Sequence, residues 1–193
     1  MKGTKRMKVD LDEDEHENEQ VLQIKDSVYF YAEVKPNTIL QLITALDKAT
    51  QYVLETSYDI YQCKIYLYIN SVGGEAYSGL SGMDHIRLNK VPVTTIADGF
   101  VASAATLLLL GGAERKILKN TKVLIHQLST QFLGKFKDLL DEVVNSKELM
   151  TNMKDIYKSE TKMKSSEIEN LIQKELHMNA YQALSYGFVD EVW

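Results

Sequence analysis

Several things are scarce in this 193-residue chain, and each scarcity excludes a class of protein. There is one cysteine, Cys63, so no internal disulfide framework can hold the fold, and a lone thiol fits a reducing compartment. It lies in the strand-like run Cys63-Lys64-Ile65-Tyr66-Leu67, which marks a buried structural thiol rather than a reactive one. No apolar run approaches the length of a membrane span. Positive charge is not in excess: the formal net charge is −5, which leaves no general basic footprint for nucleic acid. No cluster of ligating side chains implies a metal or an organic cofactor, and no Gly-x-x-x-x-Gly-Lys loop is present to hold ATP. The basic start Met1-Lys2-Gly3-Thr4-Lys5-Arg6 runs into acid rather than into an apolar core, so no signal peptide is expected. These absences together predict a soluble cytoplasmic protein with no membrane or nucleic-acid partner.

What is present is ordinary globular material, 45% hydrophobic and 25% charged, long enough for one domain with a full core. Residues 1–20 stand apart, with acid concentrated between Asp10 and Glu19. They read as a solvated mobile arm, or alternatively as a charged gate or partner-binding tail. With no repeat, low-complexity tract or interior linker, residues 21–193 form one domain. Strands are predicted at Ser27–Val34, Lys64–Ile69, Val93–Ile96, Thr121–Gln127 and, briefly, Phe188–Trp193. Between them, helical spacing begins at Pro36 and runs through Ile39, Leu42, Leu46 and Val53, and again from Ala76 to Leu88. A long helix is predicted over Phe136–Lys158, its wide apolar face suited to packing between subunits. Ser166-Glu167-Ile168-Glu169 reads as a capping box, and Asn179 and Gly187 bracket a last helix, Ala180–Tyr186. Strand and helix alternate, which argues for an α/β fold with largely parallel sheet.

The chain is organised around Asp98-Gly99-Phe100-Val101-Ala102-Ser103-Ala104-Ala105-Thr106-Leu107. Asp98-Gly99 is a turn signal after a β-branched run, and a helix opens near Ser103 and closes at Gly111-Gly112. A serine beside the unpaired N–H groups of a helix start suits both an alkoxide nucleophile and a tetrahedral oxyanion. Serine is also a favoured cap, and the local sequence alone favours that reading. Upstream, Asn70-Ser71-Val72-Gly73-Gly74-Glu75 ends a strand in paired glycines, which permit a close backbone approach or an ordinary turn. Downstream, His126 ends a strand, where a lone histidine is more often structural than catalytic.

Four of these stretches resemble one family, in the same order and at nearly the same spacing from about Ser27 to Trp193. Ile65-Tyr66-Leu67-Tyr68-Ile69-Asn70-Ser71-Val72-Gly73-Gly74 is similar to the strand and Asn-Ser-Pro-Gly-Gly segment of the Clp protease proteolytic subunit (ClpP) family. Gly99 to Ser103 resembles its nucleophile turn, and Val123-Leu124-Ile125-His126-Gln127 its strand carrying the catalytic base. Asn179-Ala180-Tyr181-Gln182-Ala183-Leu184-Ser185-Tyr186-Gly187-Phe188-Val189-Asp190 resembles its C-terminal signature. The resemblance implies a ClpP/crotonase-like fold of repeated ββα units around a core sheet, with Phe136–Lys158 projecting as a handle. It also implies a serine endopeptidase with a Ser-His-acid triad: Ser103 as nucleophile, His126 as general base, and Glu175 where the family has aspartate. Gly74 and Ala104 would supply the oxyanion-hole N–H groups. Two stacked heptameric rings, a tetradecamer, would enclose these sites. Only unfolded polypeptide or short peptides would then reach Ser103, and an ATP-driven AAA+ unfoldase would be the partner.

The departures from the family carry information too. Glu175 is one methylene longer than aspartate, and Val72 replaces the usual proline of the Gly-Gly segment. His177, close to Glu175, reads as structural. Around the family's unfoldase-docking pocket Tyr66 and Tyr68 fit, while Asp98 and Lys116 do not. Two rival readings follow: a catalytically silent structural subunit of such a ring, and an acyl-CoA enzyme of the related crotonase-type fold.

Overall fold

The computed structural model describes residues 20–59 and 62–193. The acidic arm expected over residues 1–20 therefore lies outside the described residues, apart from Gln20, which opens the first strand. That strand, β1 (Gln20–Ile24), has no counterpart in the sequence analysis, whose first strand starts at Ser27; it pairs antiparallel with β2 (Ser27–Tyr31) through a tight Lys25-Asp26 turn. Helix α1 (Pro36–Thr56) opens as expected with proline in its first turn, where no N–H is needed. The Thr38 hydroxyl accepts from the Lys35 N–H at 3.0 Å and closes the helix start. Its buried face is Ile39, Leu42, Leu46, Ala49 and Val53, the residues that kept helical spacing.

Strand β3 (Ile65–Ser71) alternates strictly, with Ile65, Leu67, Ile69 and Ser71 buried and Tyr66, Tyr68 and Asn70 half-buried. Helix α2 (Ala76–Arg87) returns the chain to β4 (Val93–Ala102), parallel to β3. This strand runs ten residues, well past the expected end at Ile96, because Asp98-Gly99 is not a chain reversal. The register with β3 slips between Ile69 and Ser71, and Gly99, at φ +78°, absorbs the slip. A Cβ there would meet the Asn70 amide nitrogen at 2.8 Å, a contact the side chain could relieve by moving, so it is the left-handed backbone that favours glycine. Helix α3 (Ala105–Leu110) follows, fully buried, and starts two residues beyond Ser103 rather than at it.

Strand β4 is shared by two neighbours. Its first half, Thr94–Ala97, pairs with β5 (Glu114–Ile117), and its second, Phe100–Ala102, pairs with β6 (Lys122–Leu124). The sequence reading missed β5 because Glu114-Arg115-Lys116 carries no apolar alternation. Its charges are instead met by ion pairs, Lys64–Glu114, Arg115–Asp190 and Lys116–Glu191.

After β6 the chain enters α4 (Phe136–Glu160), the expected long helix. Only Leu149, Met153 and Tyr157 in its second half are buried, while Phe136, Leu139, Leu140, Val143 and Val144 are exposed. Helix α5 (Ser165–Lys174) begins earlier than its predicted capping box: the reciprocal pair is Lys164 with Glu167, whose carboxylate accepts from the Lys164 N–H at 2.7 Å. Strand β7 (Met178–Asn179) pairs antiparallel with β6. Helix α6 (Ala180–Tyr186) is capped by Asn179, which accepts from the Gln182 N–H at 2.9 Å, and ends at left-handed Gly187. Strand β8 (Glu191–Val192) closes the sheet, in the order β1-β2-β3-β4-β5-β8, with β6 on the second half of β4 and β7 beyond it on β6. The core joins the sheet to the buried faces of α1, α2 and α3, including Leu107, Leu108, Leu109 and Leu110, and to Met153 and Tyr157 of α4, Ile168 and Ile172 of α5 and Ala180 and Ala183 of α6. Among the described residues no helix is long and apolar enough to cross a membrane.

Candidate active site

The junction between β4 and α3 holds a non-glycine residue in a left-handed conformation. Ser103 sits at φ +54°, a left-handed conformation that a residue with a side chain seldom adopts. The contacts around it hold it there. Its N–H donates to the Leu124 carbonyl at 2.9 Å, which continues the β4–β6 ladder by one residue. Its carbonyl accepts from the Thr106 N–H at 3.0 Å and from the Thr106 hydroxyl at 2.6 Å. On the opposite side Gly73, at φ +99°, packs so near that a Cβ on it would stand 2.6 Å from the Ser103 Cβ.

Two backbone N–H groups flank the serine. Val34 bridges the Gly-Gly segment by donating to the Gly73 carbonyl at 2.7 Å and accepting from the Glu75 N–H at 2.8 Å. The N–H of Gly74, between those two, takes no part in the bridge. Ala104 N–H follows one peptide after Ser103, and among the described residues neither it nor Gly74 N–H has an acceptor. Both residues line a cleft of about 250 Å³ together with Ser103 and His126, with Ala76, Leu128 and Met153 forming an apolar side. A larger groove, about 460 Å³ between α1 and α2, contains neither the serine nor His126.

His126 lies two residues past β6, so the strand that receives the Ser103 N–H also carries the histidine into the cleft. It is half-buried, and its Nδ1 is 2.6 Å from the Gln127 carbonyl oxygen. A carbonyl only accepts, so Nδ1 carries the proton of the neutral ring and Nε2 keeps its lone pair. That is the tautomer in which Nε2 can remove a proton from a hydroxyl.

Glu175 is not in the cleft. It ends α5 in the left-handed conformation, at φ +50°, with an exposed side chain. The β6–β7 pairing runs Lys122 with Asn179 and Val123 with Met178; three more pairs in the same register would set Glu175 across from His126. His177, in between, packs its ring on Phe100 at 5.2 Å. Among the described residues no group of three or more His, Cys, Asp or Glu is placed to hold a metal ion.

Tyr29, Tyr31 and Trp193, which the sequence analysis does not connect to the surface around Tyr66 and Tyr68, make ring or hydrogen-bond contacts with Tyr68, Asp98 and Lys116 there. Tyr68 stacks on Tyr29 at 4.9 Å, and the Tyr31 hydroxyl donates to Asp98. Burial, and then Asp98, raise the Tyr31 hydroxyl well above the ordinary tyrosine range. Lys116 lies 4.3 Å over the Trp193 ring. Nothing in local periodicity joins Tyr31 to Asp98; the parallel order β2-β3-β4 does.

A serine on a left-handed turn ahead of a buried helix, a histidine whose Nδ1 faces a carbonyl, and two N–H groups with no acceptor among the described residues share one cleft, an arrangement that can supply a nucleophile, a base and oxyanion donors. The Clp protease family profile matches residues 16–193, and the chain belongs to that family. One relative, the ATP-dependent Clp protease proteolytic subunit of Deinococcus radiodurans, is 34% identical over 131 residues, 67% of this chain. The match spans 64% of that relative's own length. The mixed α/β architecture, a central sheet with helices, accords with the ClpP fold.

Proposed function

We propose that this chain is the proteolytic subunit of a Clp-type protease, a serine endopeptidase acting on unfolded polypeptide or short peptides. The observation that carries the reading is the cleft in which Ser103, His126, Gly74 and Ala104 meet. Ser103 Oγ attacks the peptide carbonyl, and His126 Nε2 takes its proton and returns it to the leaving amine. The N–H groups of Gly74 and Ala104 hold the oxyanion; losing one such donor costs about 3–4 kcal/mol of barrier. Glu175 is the carboxylate for the histidine once the β6–β7 ladder extends by the three pairs that would set it across from His126.

The exposed apolar first half of α4 supports assembly of heptameric rings stacked through this helix. The peptidase unit is one domain over residues 21–193 with residues 1–20 as an acidic arm. It works in the cytoplasm, a compartment that suits its lone thiol. The aromatic surface at Tyr66 and Tyr68 is the docking place for an AAA+ unfoldase, altered in character by Asp98 and Lys116.

A second reading, a ring subunit without activity, is favoured by one observation: His126 Nδ1 bonds a main-chain carbonyl and Glu175 stands outside the cleft. A fluorophosphonate separates the two. Wild type should be labelled on Ser103 and hydrolyse short peptides, and Ser103→Ala should do neither while assembling normally. Wild type that resists labelling at any assembly state identifies the silent subunit.

A further inference from the structure

Behind Ser103 lies a buried phenol that the proposed mechanism does not use. Tyr157, on the inner face of α4, is completely buried and its hydroxyl is 2.9 Å from the Thr106 Oγ1. Thr106 Oγ1 is in turn 2.6 Å from the Ser103 carbonyl oxygen. The direction of this chain is settled by proton count. A carbonyl cannot donate, so the single hydroxyl proton of Thr106 goes to Ser103. Thr106 therefore accepts from Tyr157, and the chain runs Tyr157 O–H to Thr106 O–H to Ser103 C=O. Each link polarises the next, and the fully buried surroundings strengthen both.

The Ser103 carbonyl belongs to the same rigid peptide plane as the Ala104 N–H, and the two point in opposite directions. Fixing the oxygen on the protein side therefore fixes the N–H on the cleft side. The plane needs fixing, because the serine ahead of it is held in a left-handed conformation that relaxation would abandon. Tyr157 is itself immobilised: its ring rests against the buried Phe188 at 5.9 Å. We infer that Tyr157 is a positioning residue for the oxyanion hole, acting through Thr106 to orient the Ala104 N–H. This rests on the peptidase reading of the cleft. It also ties the site to α4, the helix whose other half is exposed for assembly.

The test uses the full chain and four variants, Tyr157→Phe, Thr106→Val, Thr106→Ser and the double Tyr157→Phe/Thr106→Val. Removing an oxyanion donor outright costs roughly 10²–10³ in kcat, so a donor merely loosened should cost about tenfold. Tyr157→Phe should lower kcat and the rate of fluorophosphonate labelling about tenfold, with KM unchanged and the thermal midpoint moved by a few degrees. Thr106→Ser, which keeps the hydroxyl, should stay near wild type. Thr106→Val should fall at least as far as Tyr157→Phe, and the double variant no further than Thr106→Val. Wild-type kcat in Tyr157→Phe, an effect on KM alone, or losses that multiply in the double variant would each overturn the relay. Should Tyr157→Phe fail to fold, the Thr106→Ser and Thr106→Val pair decides: equal activity in the two overturns it. A wild-type protein that is not labelled at all sinks the peptidase reading, and the relay with it. A labelled wild type with an unaffected Tyr157→Phe sinks the relay alone.

Discussion

Gly73 and Ser103 are in backbone contact across two strands' ends: a Cβ on Gly73 would fall 2.6 Å from the Ser103 Cβ and 2.7 Å from the Ala102 carbonyl oxygen. The segment that carries the Gly74 N–H and the segment that carries Ser103 are thus packed as one unit. Parallel pairing of β3 with β4 brings the two segments together, and the slip at Gly99 sets their final spacing. The attacking hydroxyl and one of its oxyanion donors are consequently positioned by the same contact.

Gly73→Ala should therefore damage the site from both sides. The new methyl has no room, and φ +99° is strained for any side chain. The expected result is a loss of peptide turnover of at least a hundredfold, with roughly 1–3 kcal/mol of stability lost in denaturant titration. Val72→Pro, the residue usual in the family at the preceding position, should be far milder, because Val72 is exposed. Turnover in Gly73→Ala at the wild-type level would show that the cleft tolerates a shift of Ser103.

Assembly should depend on the first half of α4. Val144 and Leu140 are exposed there on a helix whose buried residues all lie further along. Leu140→Glu with Val144→Glu removes apolar area without touching the core, so the protomer should keep its far-ultraviolet circular dichroism. Sedimentation should then show smaller species than wild type at equal concentration. Full-size rings in this double variant would place the contact elsewhere.

How far the sequence could be read differs from element to element, for physical reasons. The helices α1 and α6 carry their own signals, Pro36 at one start and Asn179 and Gly187 at the two ends of the other, and the structure has them where expected. Ser103, read as opening a helix, and His126, read as ending a strand, line one cleft. Strand β5 was not legible, because its stability comes from hydrogen bonds to β4 and β8 and from ion pairs rather than from an apolar face. The Asp98-Gly99 pair looked like a turn because glycine after aspartate usually is one; only the neighbouring strand converts it into a bulge. The Tyr157–Thr106 contact spans 51 residues and has no local signature at all.

The acid of the site is tested through charge and length separately. Glu175→Gln keeps size but removes the charge that would hold an imidazolium; in a working triad the comparable change costs about 10⁴ in kcat. A longer side chain reaching from the end of α5 holds the ring less firmly, so a loss of roughly a hundredfold is expected here. Glu175→Asp shortens the reach on a backbone shaped for glutamate and should lose activity as well. If Glu175→Gln turns over peptide at the wild-type rate, the Gln127 carbonyl alone orients His126 and the site is a dyad.

Alkaline stability gives a prediction that does not depend on activity. Complete burial pushes the Tyr157 hydroxyl up to about 12, against about 10 in an unfolded chain. The folded state therefore keeps this proton to higher pH than the unfolded state does. The resulting stability is fully present below pH about 10 and is lost as pH rises toward 12, because only the unfolded chain gains by ionising. Each pH unit in that window removes about 1.4 kcal/mol, so roughly 2–3 kcal/mol is lost in total. Tyr157→Phe has no proton to lose there. Denaturant midpoints followed from pH 8 to 12 should fall less steeply in Tyr157→Phe than in wild type, with the curves converging at the alkaline end. Parallel curves would mean that the Tyr157 hydroxyl ionises as readily in the folded protein as in the unfolded one, and that it is not sealed behind Thr106.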